Sequence, residues 1–166
     1  MCGFYDVYIA KMDTERLLIP LMRTASHLVA TGHLDCLDAE QRKAIVKTTF
    51  NKKGSSDIAK INQAGDLICN CLKFEDIAKF SLGYVMVLLC NRYPNVRVDV
   101  AEYLNVALLT YGDVLFTDDE LEKLEECQTL LQGTKWNAPL DEIKPVRNML
   151  CGLLGIPAPK VTAAGK

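Results

Sequence analysis

The chain has 166 residues, 49% hydrophobic and 24% charged, which is room for one cored domain and excludes the high-charge, low-hydrophobicity composition of disordered segments. With 19 basic against 21 acidic side chains the net charge is -2, so no overall field draws nucleic acid or an anionic membrane. Seven cysteines, an odd number without Cys-x-x-Cys spacing, and no basic-then-apolar leader point to free thiols in a reducing, cytosolic setting. The longest apolar run, 84–90, is far shorter than the roughly 20 residues that cross a membrane.

Residues 1–13 carry no clear period and are expected to be an extension outside the fold. From there helical spacing dominates. Leu18, Leu21, Ala25 and Leu28 share one face, predicting a helix over 14–31 that stops at Gly32. Pro20 lies inside that span, so a bend or a delayed start is expected. Asp38 with Gln41 three residues on has the form of a capping box and opens a second helix, to about Asn51, with a thin core face of Ile45, Val46 and Phe50. A third starts near Ser56 on the stripe Ile58, Ile61, Ile68 and Leu72, where Gly65 occupies one stripe position and implies close packing.

The fourth helix, 75–92, is apolar almost all round and should be buried between others. Residues 96–100 alternate like a strand, but Pro94 before them and the helical face after them favour a fifth helix over 95–111, ending at Gly112. The sixth begins with the capping box Thr117-Asp-Asp-Glu120 and stops at Gly133. In the last helix, terminated by Gly155 and Pro157, Pro145 is expected in the first turn. The fold class is therefore all-α, about seven helices in antiparallel pairs, as one domain over 14–157 with a mobile tail at 158–166. The sequence shows no clean repeat period.

Chemistry-bearing residues are sparse. His27, His33 and Cys36 are neighbours in sequence, and a small metal or thiol enzyme built on Cys36 with His27 or His33 is the alternative reading, although no zinc-type ligand spacing accompanies them. Lys53-Gly-Ser-Ser lacks the first half of a phosphate loop, so no nucleotide site is expected. No catalytic, cofactor or metal residue is assigned. The acidic run 118–126 presents Glu122, Glu125 and Glu126 as partner-binding candidates, against the plainer reading of a solvated outer face. Trp136, the only tryptophan, is either an interface residue or the anchor of a loop over the core, and the anchor is favoured. Arg97, early in its helix, is expected to tie neighbouring helices through acids or carbonyls.

Pro94-Asn-Val-Arg97 with Ala101 and Leu104 resembles the start of a HEAT-type helix. Four further segments, Glu15-Arg-Leu-Leu-Ile-Pro-Leu21, Leu108-Leu-Thr-Tyr-Gly-Asp-Val114, Thr134-Lys-Trp-Asn137 and Arg147-Asn-Met-Leu-Cys-Gly-Leu-Leu-Gly-Ile-Pro157, resemble in order and separation the C-terminal domain of the tubulin-specific chaperone D (tubulin-folding cofactor D) family. The resemblance covers 15–159. It implies a HEAT/armadillo-like fold, the final portion of a long cytosolic solenoid, and a role after the chaperonin in capturing β-tubulin and joining it to α-tubulin. It also implies other tubulin cofactors, such as cofactor E, and an Arf-like small GTPase as partners. Stimulation of tubulin GTP hydrolysis would belong to the full assembly, and microtubules or the centrosome are the implied destinations beyond the cytoplasm. Two departures stand out: Asn137 replaces an expected aspartate, and Pro145 interrupts a stretch expected to be helical, so the last helix should start later here.

Overall fold

In the computed structural model, which describes residues 3–159, every regular element is helical. Eight α-helices follow one another: α1 (Gly3–Lys11), α2 (Leu18–Ala30), α3 (Ala39–Phe50), α4 (Ile58–Asn70), α5 (Glu75–Leu88), α6 (Pro94–Leu115), α7 (Leu121–Gly133) and α8 (Leu140–Leu153). Of the expected tail, residues 160–166 lie outside the described residues.

Local chemistry sets most of the boundaries. Because α2 starts at Leu18, Pro20 stands in its first turn, where its missing N–H would have had no intrahelical partner. The delayed start is the outcome. The α3 capping box is present: the Gln41 N–H donates to Asp38 Oδ1 at 2.8 Å and the Asp38 N–H to Gln41 Oε1 at 3.2 Å. Thr117 and Glu120 form the second box, over a tight three-residue turn that leads into α7. At Gly65 an added Cβ would lie 2.8 Å from Val100 Cγ2, so the glycine lets α4 and α6 approach closely. Gly112 does the same for α6 and α7, since a Cβ there would meet Leu124 Cδ2 at 2.9 Å.

Three expectations are corrected. Residues 3–11 are a helix rather than an extension: Tyr8 is 0% exposed and its hydroxyl lies 2.6 Å from Thr49 Oγ1, which in turn donates to the Ile45 carbonyl. Burial pushes the Tyr8 hydroxyl pKa up, so it acts as a neutral donor that pins α1 to α3. Pro145 is the sixth residue of α8, not a first-turn residue, and the helix starts earlier instead of later. Buried Ile143 and the N–H groups of Glu142 and Ile143, both on the Pro139 carbonyl, close the turn before it; the proline forfeits only one bond, to exposed Asp141. Finally α6 runs on to Leu115, with non-helical backbone at Tyr111 marking the expected end as a kink.

The helices stack in two layers, with α2, α4 and α6 side by side and α1, α3 and α5 against them. A spatial period appears that the sequence did not show. Ser26 donates to Asp66, Asn62 to Asp99, Lys73 to Asp35 and Arg97 to the carbonyls of Trp136 and Ala138, at separations of 40, 37, 38, 39 and 41 residues respectively. A step of about 40 residues carries each helix pair onto the next, as in a helical-repeat stack. The last pair leaves this pattern: α7 packs on α6 as its hairpin neighbour, and α8 packs on α7, from where Arg147 approaches the Met86 carbonyl of α5 at 3.5 Å.

Candidate binding surface

Arg97 organises the far end of the stack. It is 3% exposed, and its guanidinium donates from Nε to the Trp136 carbonyl at 2.8 Å, from Nη1 to the Asn91 carbonyl at 2.8 Å and from Nη2 to the Ala138 carbonyl at 2.7 Å. These are carbonyls from the α5–α6 corner and the α7–α8 loop, with no acid among them. The planar fork of arginine suits three divergent acceptors. Burial draws its pKa down from the ordinary arginine value. Trp136 is buried too, its indole N–H on the Leu131 carbonyl at 2.8 Å, so it anchors the loop and offers a partner only the edge that lines a shallow cavity.

The acidic candidates lie elsewhere on α7. Glu122, Glu125 and Glu126 are exposed, while Glu120 is occupied by its cap and by Lys123 Nζ at 2.7 Å. His27, His33 and Cys36 are exposed as well, but they do not converge into a ligand set. His33 Nδ1 is 2.8 Å from the Thr31 hydroxyl, Cys36 Sγ lies 3.9 Å from the His33 carbonyl, and no group of three or more His, Cys, Asp or Glu side chains suited to a metal occurs among the described residues.

The buried thiols are core residues. Burial pushes Cys71 up to about 12 and Cys127 up to about 11, and Cys69 well above the ordinary thiol value. A thiol pKa raised by folding stabilises the fold while the unfolded chain's thiols are also protonated, and that contribution is lost as pH rises from about 8.5 towards the folded values. The urea midpoint is therefore expected to hold between pH 7 and 8 and to fall above about pH 9. Cys127→Ala should flatten part of that fall; identical slopes for the two proteins would assign it to other groups.

The surface that the sequence did not single out is the outer face of α4 and α6. Asn70 donates to Ser26 Oγ at 2.8 Å and Gln63 to Asp66 at 3.0 Å, while Asn62 donates to Asp99. Burial, then the neighbouring Glu102, raise the Asp99 carboxyl, against the opposing bond from Asn62. Beside this polar seam, α6 exposes Val98 (41%), Val106 (54%) and Leu109 (63%), which fall on one side of the helix with Glu102 and Asn105. Val98, Ala101, Glu102 and Asn105 of α6 then form, with Leu131, Gln132, Thr134 and Trp136, a cavity of about 350 Å³. Asn105 Oδ1 is buried without a hydrogen-bond partner. In the sequence these apolar residues merge with the core pattern of α6, and only their spacing on a second face separates them.

The fold and this surface define a stacked helical-pair protein with one partly apolar, acidic-edged face. No family model matches the sequence, and no solved structure matches the chain. No helix among the described residues is long and apolar enough to cross a membrane.

Proposed function

We propose that this chain is a non-catalytic helical binding module of a tubulin-folding cofactor, acting after the chaperonin through β-tubulin and companion cofactors such as cofactor E. The observation that carries the reading is the stack itself: helix pairs advancing by about 40 residues, the architecture that recognises proteins through extended faces, hold the segments that resemble the cofactor D family. The Thr134-Lys-Trp-Asn137 segment is held from below by Arg97. The proposed setting is the cytoplasm, with microtubule or centrosome association, and with the Arf-like GTPase and GTPase stimulation belonging to a full-length assembly.

The test is capture with purified components. The immobilised chain, and a second protein carrying additional upstream helix pairs, are presented with β-tubulin released from chaperonin and with cofactor E. Retention of either is expected. If neither protein retains either partner at micromolar concentration, the tubulin reading falls.

A further inference from the structure

We infer that the exposed face of α6, together with the cavity at its α7 edge, binds a basic amphipathic helix of a partner protein, its apolar side on Val98, Val106 and Leu109 and its lysines or arginines on the neighbouring acids.

Shape comes first. Gly112 brings α6 and α7 into close contact near the Leu124 end, and the cavity formed with Leu131, Gln132 and Trp136 opens the far end. Between them Val98 to Leu109 spans 11 residues, about 16 Å at 1.5 Å per residue, or three helical turns. Exposed apolar side chains at helical spacing, ending at a cavity between helices, match recognition of an amphipathic helix by its apolar face, whereas an extended peptide would need a strand edge to extend. The described residues contain no strand.

Charge then selects the occupant. Residues 94–133 hold nine acidic side chains and two basic ones, a net -7 in a chain whose total is -2. Within this span Arg97 is committed to three carbonyls and Lys123 is paired with Glu120, and the nearest further base is exposed Lys135 at the loop end of the cavity. Exposed Glu102 therefore stands within the apolar stripe and half-buried Asp99 beside it on α6, while exposed Glu125 of α7 lies on the side of that helix from which Gln132 lines the cavity. An anionic or neutral helix would bury the stripe beside uncompensated carboxylates, but a cationic one supplies their partners.

The inference does not depend on tubulin, and its test uses no tubulin. The probe is a synthetic 15-residue peptide of Leu, Ala and Lys, without tryptophan, patterned so that Leu forms one helical face and Lys its flanks. Controls are the same composition scrambled and the same pattern with Glu replacing Lys. Trp136, the lone tryptophan, lines the cavity and reports occupancy by its emission, with fluorescence anisotropy of a labelled peptide as the second readout. The patterned Lys peptide is expected to bind saturably, more weakly at high salt, and the doubly substituted V106S/L109S protein to lose at least about tenfold in affinity, as truncation of central apolar contacts does. Both substituted positions are exposed, so unchanged circular dichroism is expected alongside. Absence of binding by the Lys peptide, equal binding by the scrambled or Glu peptide, or unchanged affinity in V106S/L109S would overturn the proposal. So would sedimentation showing a dimer that V106S/L109S dissolves, which would assign the stripe to a second copy of this chain.

Discussion

Arg97→Leu is expected to destabilise the protein by about 3–5 kcal/mol, read as a fall in the urea midpoint, because it leaves the buried Trp136 carbonyl and the part-buried carbonyls of Asn91 and Ala138 without their charged donor. The substitution keeps much of the apolar stem and removes the fork. The Trp136 carbonyl is then short of a partner in a buried place that water enters only if the loop opens. Since whole domains of this size are stable by about 5–15 kcal/mol, a loss of that size consumes a large part of the margin. Trp136 should report the cause directly: its emission should shift to the red at urea concentrations where the helices still show their far-ultraviolet signal, because the anchored loop separates first.

Arg97→Lys sharpens the expectation. A single ammonium reaches one or two of the three acceptors but cannot hold three divergent ones in a plane, so about half of the loss should remain. If Arg97→Leu costs less than about 1 kcal/mol, the clamp is not what holds the α7–α8 loop to the α5–α6 corner.

What could be read from the sequence depended on how local the physics was. Both capping boxes and the delayed start at Pro20 are decided by a few neighbouring residues, and each stands where the pattern put it; the close approach at Gly65 was legible because a glycine interrupts a local apolar stripe, although its partner Val100 is distant in sequence. The helix at Gly3–Lys11 escaped because its apolar residues surround it without one stripe; a single long-range bond, Tyr8 to Thr49, makes it part of the core. Pro145 misled for a related reason. A proline rule weighs the lost hydrogen bond, whereas burial of Ile143 in the turn before it decided where α8 begins. The step of about 40 residues is likewise a property of packing, because the helix pairs repeat in space with little repeated sequence.

The candidate surface was legible only in pieces. Trp136 as an anchor and Arg97 as a tie between helices follow from side-chain chemistry, although the acceptors of Arg97 proved to be carbonyls alone. The exposed stripe on α6 did not follow, because the helical face that carries Leu104 and Leu108 says where the core lies and not what Val106 and Leu109 on another side would meet.

That ambiguity sets up the largest contrast expected within one helix. Leu104 is 0% exposed and Leu109 is 63% exposed, five residues apart on α6. Leu104→Asp places a carboxylate where neither water nor a cation reaches it, and removes an apolar side chain from the seam between α4, α5 and α6. The penalty should exceed about 4–5 kcal/mol, enough to leave the chain unfolded or molten at 25 °C, since burial of an unpaired charge adds to the cavity cost. Leu109→Asp exchanges the same atoms on the same helix and should cost under about 1 kcal/mol, chiefly helix propensity and acidic repulsion. Circular dichroism and urea melts of the two variants decide the matter. Equal losses would mean that the 109 face is packed against something, and near-equal stability would mean that position 104 is not core. With the expected split, Leu104 belongs to folding alone, whereas loss of partner binding in a stable Leu109→Asp protein would report on the surface itself.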